Sequence, residues 1–463
     1  MAIFISSFWV LVVICCLLYF FTKSSNLKSE DGAFKKFQMV YLIVYALAMA
    51  ADWLQGPYVY ALYDSYNMSK SEIEQLFVAG FGASMVFGTI VGSFADKYGR
   101  KTNCLLYGLL YGLSCLTKHF NNFWILMLGR LLGGTATSIL YSAFESWLVY
   151  EHNSRGFDKE LLSSIFSNAT LSNSIVAIIA GLVAQKFADH FGYVAPFDVS
   201  LTVLVIMCVM IVILWSQNYG DAQASMTDSY QSAVTYLKTD SKILCLGLIQ
   251  SLFEGAMYTF VLEWTPALTP DKATPAEGGE TGIPHGWIFA GFMVAIMIGS
   301  SLFTILCKLG KVESFMRSVL FVAAASLCVP AFIPENQSLV FISFLVFEVC
   351  VGIFWPSMGT MRGKYVPEQV RSTIMNFFRI PLNFIVILIL LQDFPRVVIF
   401  RCCVGFLCAS FVMQQILYKL SQTTSTSAAP APAKDPGSIP SKHQSVPLMT
   451  SVDKEKVPVD EEV

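Results

Sequence analysis

Six ionisable side chains, Asp52, Arg130, Glu145, Glu254, Glu348 and Arg379, stand inside stretches that are otherwise apolar. A charge at that depth in hydrocarbon costs on the order of 2.5–3.5 kcal/mol on insertion scales, so it is kept where it faces water or a partner. The chemistry open to such residues is ion binding and proton carriage. Arginine presents a planar fork of donors that suits oxyanions. Arg379 and Arg130, with the neutral donors Gln55, Asn168, Asn173 and Asn383, are therefore the substrate-binding candidates for a polar or ionic solute. Carboxylates in a cavity take up and release protons as their surroundings change. Asp52, Glu254 and Glu348 lie nearest the middle of their stretches and are the proton-coupling candidates.

Each of these residues has a plainer alternative. Arg130 could bond main-chain carbonyls, and Arg379 could satisfy the backbone freed by Pro381. Glu145 lies close to the end of its stretch, where it either snorkels to the surface or joins an ion pair of a gate. Catalysis finds less support. His119, His152, His190, His285 and His443 are scattered, and the twelve cysteines show neither metal-ligand nor disulfide-framework spacing. Neither an enzyme nor a cofactor is expected.

The elements that position these charges follow from composition. With 55% hydrophobic and 13% charged residues in 463, the chain is unlike a soluble domain. Thirteen apolar segments approach the roughly 20 residues that cross a bilayer core. The first, 2–21, lacks the positive start and small-residue exit of a cleaved signal peptide, and reads as an extra helix with its amino terminus outside. Residues 1–36 thus hold that helix and a basic cytoplasmic link. The other twelve form two blocks, 37–217 and 242–420, which suggests duplicated six-helix halves. Residues 218–241 make a polar cytoplasmic link, and 421–463 a Ser-, Thr- and Pro-rich tail expected to be disordered and cytoplasmic. The fold class is an all-α polytopic membrane protein. Eighteen Lys and Arg residues fall in alternate loops on one side and six on the other, which places Arg100 and Lys101 in the cytoplasm.

That basic pair ends the stretch Gly92-Ser-Phe-Ala-Asp96-Lys-Tyr-Gly99-Arg100-Lys101. Gly92 allows a close helix approach, Gly99 a positive φ, and Asp96 can accept hydrogen bonds from a facing helix terminus. Asp96, Arg100 and Glu145 are the gating candidates, and an inner gate is expected around Asp96, Glu145 and Arg379.

The spacing resembles the signature loop between helices 2 and 3 of the major facilitator superfamily. Within that superfamily, Ala51-Asp-Trp-Leu-Gln-Gly-Pro-Tyr58, Gly129-Arg-Leu-Leu-Gly-Gly134, Ser142-Ala-Phe-Glu-Ser-Trp147, Trp264-Thr-Pro266, Phe354-Trp-Pro-Ser-Met358 and Asn376-Phe-Phe-Arg-Ile-Pro381 resemble the molybdate-anion transporter family. The resemblance implies a twelve-helix fold whose helices 1, 4, 7 and 10 line a central cavity, and these helices carry Asp52, Glu145, Glu254 and Glu348. It further implies a secondary transporter in the plasma membrane that takes up molybdate or a similar oxyanion by alternating access. Protons and membrane lipid join the anion as expected partners, and nucleic acid does not. Sulfate, a sugar, and a non-transporting receptor or scaffold remain alternatives. One departure stands out: the stretch Ile305-Leu-Cys-Lys-Leu-Gly-Lys311 has no acid matching Asp96.

Overall fold

The structure, a computed structural model, describes residues 2–25, 32–220, 226–268, 285–392 and 394–427. The expected disordered tail beyond 427, and Lys28 in the first link, lie outside the described residues.

The extra helix α1 spans Ala2–Ser25, and the first half holds α2 Gly32–Gln55, α3 Val59–Ser65, α4 Lys70–Tyr98, α5 Arg100–Thr117, α6 Phe123–Leu140, α7 Ala143–Ser154, α8 Lys159–Phe191 and α9 Ala195–Leu214. A helix over the interdomain link, α10, spans Met226–Thr239. The second half holds α11 Ser241–Leu268, α12 His285–Leu309, α13 Val312–Phe332, α14 Gln337–Tyr365, α15 Arg371–Leu390 and α16 Arg396–Ser427. Twelve helical stretches among the described residues are long and apolar enough to cross a membrane. The expected thirteenth, α5, is a regular helix whose inner end carries Arg100, Lys101 and Asn103, which lowers its apolar character.

Two expected spans are broken, and both breaks matter for the site. The first core span bends through a 3₁₀ turn at Gly56–Tyr58, where Pro57 cannot donate into the helix ladder. The fourth is interrupted at Tyr141–Ser142 between α6 and α7, which turns Tyr141 and Glu145 toward the interior.

The halves meet along α4 against α15, and α8 against α12 and α14. Close approach there needs small residues. A Cβ on Gly92 would lie 2.8 Å from Asn376 Nδ2 and 2.9 Å from the Ser372 carbonyl of α15. Gly99 ends α4 at φ 106°, a conformation that glycine takes without strain. The link between the halves is not free chain: α10 buries Ser229 and Ala233, and Tyr230 sets its ring edge against Phe377 of α15.

The extra helix α1 packs on the second half. Phe4 meets Phe341, Phe8 meets Trp287, and Cys15 joins Val294 and Ile298 in a small core. Its other face exposes Trp9, Val10, Val13, Leu17, Phe20 and Phe21. An apolar surface of that extent belongs in lipid.

Candidate functional site

A cavity of about 760 Å³ lies between the halves. It runs from the outer helix ends at Tyr60, Glu74 and Leu390 down to Glu145 and Arg362. Of the sequence candidates, Asp52, Gln55, Arg130, Glu145, Asn173, Glu254, Glu348, Arg379 and Asn383 line it. Asn168, half-buried on α8, does not.

The middle of the cavity is built around Arg379 of α15, only 4% exposed. Its guanidinium lies 4.9 Å from the Tyr141 ring centroid and reaches Ser84 Oγ at 3.5 Å, while its Nε has no partner. Asn383, one turn further along α15, donates to the same Ser84 oxygen at 3.2 Å. Across from them Glu254 of α11 is 1% exposed, with neither carboxylate oxygen in a well-formed hydrogen bond. Asp52 of α2 accepts from Tyr111 Oη at 2.6 Å. Arg379 is near enough to act electrostatically on both acids, yet it forms no ion pair with either among the described residues. A cation and its candidate counter-charges thus face one another across open space. Glu348 of α14 lines the wall and makes no ion pair or hydrogen bond among the described residues.

Packing treats the two amides of the first half differently. Gln55 donates to Ser200 Oγ at 2.9 Å and to the Ala51 carbonyl at 3.2 Å, so its donors hold α2 against α9. Asn173 gives its side-chain oxygen to Trp53 Nε1 at 2.9 Å. Arg130 does both things the sequence allowed: it lines the cavity, and its Nε donates to the Leu76 carbonyl at 3.2 Å.

The floor differs from the expected gate in one respect, the identity of the arginine. Arg379 sits in the cavity, and the partner of Glu145 is Arg362 of α14. Arg362 Nε and Nη2 meet the two Glu145 oxygens at 2.7 and 2.5 Å, and Nη1 donates to Gln250 of α11 at 2.8 Å. Beneath this pair lies a second layer. Asp96, fully buried, accepts from the Thr373 backbone N–H at 3.0 Å, from Thr373 Oγ1 at 2.9 Å and from Ser372 N–H at 3.4 Å, all at the start of α15. Arg100 reaches Asp96 at 3.2 Å and Glu368 at 2.6 Å, and Arg371 holds Glu368 at 3.2 Å. Both layers join the first half to the second at the end of the cavity that carries the Gly92–Lys101 stretch, so the cavity is shut there.

Along the sequence Arg362, Glu368 and Arg371 read as loop charges, because the apolar segment that precedes them ends at Met361. A signal was present. Glu348, Trp355 and Arg362 are seven residues apart, which places them on one helical face, and all three line the cavity. The acid missing from Ile305–Lys311 is supplied just after it: Glu313, in the first turn of α13, accepts from Lys364 and Tyr365 at the end of α14.

Comparison with known proteins places this architecture. A family model described as sugar transporters with twelve transmembrane segments matches residues 3–351. The molybdate-anion transporter of Xenopus laevis is 34% identical over 364 residues, covering 76% of this chain and 78% of that protein. The Danio rerio molybdate-anion transporter is 33% identical over 396 residues, covering 78% and 80%. Among solved structures, the Escherichia coli fucose:proton symporter superposes with a TM-score of 0.65 over 84% of this chain and 99% of its own, at 13% identity, which speaks to fold alone. With its spans, its cavity between two halves and these relatives, the chain is an integral membrane transporter that belongs to the molybdate-anion transporter family of the major facilitator superfamily.

Proposed function

We propose that this protein takes up molybdate or a closely similar tetrahedral oxyanion across the plasma membrane by alternating access. The observation that carries this is Arg379. A buried guanidinium with no ion-pair partner, beside the Asn383 amide and above the Tyr141 ring, leaves charge and donors directed at a cavity that reaches the outer helix ends. The molybdate-anion transporters named above supply the anion; the residues supply only its charge and size. Glu145–Arg362 and Asp96–Arg100–Glu368 act as the inner gate, intact while the cavity is open outward and parted when it opens inward.

Uptake of a dianion works against a negative interior, by about 2.3 kcal/mol per charge per 100 mV. Asp52, Glu254 and Glu348 offset this by carrying protons in with it, and their protonation also relieves their repulsion of the anion. A polar organic solute such as a sugar is the second reading, favoured by the ring lining of Trp53, Tyr141, Tyr258 and Trp355.

Radiolabelled molybdate uptake into proteoliposomes, competed with sulfate, tungstate and a panel of sugars, separates the two. Competition by oxyanions alone supports the anion reading, and competition by sugars alone removes it. Arg379→Lys keeps the charge but loses the fork, and is expected to lower uptake at least tenfold with the fold intact.

A further inference from the structure

The outer part of the cavity carries a cationic pair that the Arg379 site does not use. Lys118 caps α5 just beyond its last residue. It is 2% exposed, yet it lines the cavity. Its Nζ lies 2.7 Å from Tyr63 Oη on α3, and 5.0 and 5.9 Å from the ring centroids of Tyr63 and Phe197. The backbone is fixed as well, since Tyr66 Oη donates to the Lys118 carbonyl at 2.6 Å. On the facing helix α6, Arg130 lays its guanidinium over Phe77 at 4.8 Å and against Gly80, where a Cβ would come within 2.8 Å of Nη2. Arg130 lines the cavity, and among the described residues only its Nε makes a hydrogen bond.

Neither cation forms an ion pair among the described residues. The charged and titratable groups around Lys118 are Tyr63 on α3, Tyr66 after it, Cys115 on α5, Arg130 on α6 and Asp198 on α9. Asp198 is engaged by His119 at 2.8 Å, and Glu74 of α4 lines the same outer wall. Two basic groups that line one end of the cavity within electrostatic reach of each other, with no ion-pair partner among the described residues and one of them almost wholly buried, form an arrangement that a visiting anion stabilises.

We propose that Lys118 and Arg130 form an outer subsite that receives a small tetrahedral oxyanion before it passes to Arg379. This rests on the anion reading given above. Burial, reinforced by the Arg130 charge, holds the Lys118 amine down to about 7, against 10.5 for an ordinary lysine. Below pH 7 the amine already carries its proton. Above it, an arriving anion must draw a proton from the outer solution onto Nζ, so affinity at this subsite falls as pH rises, by up to tenfold per pH unit.

The test is acetylation of Lys118 in the purified full-length protein at pH 7, read by peptide mass spectrometry with and without saturating molybdate. Only the neutral amine reacts, so a bound anion slows labelling, and at least threefold protection is expected. Protection is expected to persist in Arg379→Ala, which removes the inner site, and to disappear in Arg130→Met. In binding, Lys118→Arg keeps the charge at all pH values and is expected to abolish the alkaline loss of affinity. Equal labelling with and without molybdate overturns the subsite, as does protection that vanishes in Arg379→Ala. Protection in a protein that shows no molybdate uptake would keep the subsite and remove the transport reading instead.

Discussion

The Glu145–Arg362 pair offers the sharpest test of the proposed gate. Its side chains are 14% and 5% exposed, and the contact is bidentate at 2.5 and 2.7 Å across the two halves. Glu145→Gln removes the paired negative charge and leaves buried Arg362 with neutral amide oxygens, that of Gln250 at 2.8 Å among them, and the more distant Glu254 to answer its charge. Breaking a buried pair from one side costs about 3–5 kcal/mol. The retained Gln250 bond argues for the lower end, about 3 kcal/mol. The penalty applies only while the floor is shut, because parting the halves gives Arg362 to water. The outward-open to inward-open ratio is therefore expected to fall by roughly a hundredfold, at about 1.4 kcal/mol per decade.

Ser146 sits behind the clamp, fully buried against Met375, and a cysteine placed there reports the opening. With the exposed Cys16 and Cys408 replaced, a membrane-impermeant maleimide is applied from the cytoplasmic side. Labelling of the reporter cysteine is expected to be much faster when Glu145→Gln is present than in the parent. The exchange Glu145→Arg with Arg362→Glu is expected to restore slow labelling. Equal rates in the parent and in Glu145→Gln would refute the gate, whatever the uptake activity.

Three further outcomes follow from the same geometry. Asp96→Asn loses the charge that accepts the α15 N-terminal amides and pairs with Arg100, so it is expected to favour the inward-open state by about 1–3 kcal/mol, read with the same cysteine reporter. Gly134→Ala places a Cβ 2.0 Å from the Gly80 carbonyl, a backbone atom that cannot yield, and is expected to lower the thermal unfolding temperature of the purified protein by several degrees; an unchanged melt would mean that α4 and α6 are free to separate. Uptake is expected to rise as external pH falls, and Glu254→Gln or Glu348→Gln to flatten that rise. Uptake that is independent of pH and of a proton ionophore would leave both acids with a structural role.

The sequence made legible whatever depends on transfer into lipid. Span positions and the buried charges follow from the cost of placing polar groups in hydrocarbon, and that cost applies residue by residue. Asp96 was readable for a related reason: its spacing from Gly92 and Gly99 left it facing a helix terminus, and the terminus proved to be that of α15. Pairing was not readable, because it depends on which helices of the two halves meet and at what register. Arg379 and Arg362 are both arginines near the inner half of a late span, and only the depth at which α14 and α15 cross α7 decides which one Glu145 meets.

The same limit explains the amides. Gln55 looks like a free donor along the chain, but α9 occupies it once the first half is packed, whereas Asn173 engages only its oxygen, which accepts from Trp53. What remains unpaired after packing is therefore the better guide to transport. In this cavity those groups among the described residues include Arg379 Nε, both oxygens of Glu254 and the carboxyl group of Glu348. A folded bundle satisfies its structural polar groups internally, because unsatisfied ones are expensive. Polar atoms left open along a single path, from the outer helix ends to a floor closed by ion pairs, are the ones to which the proposed function gives the solute as partner.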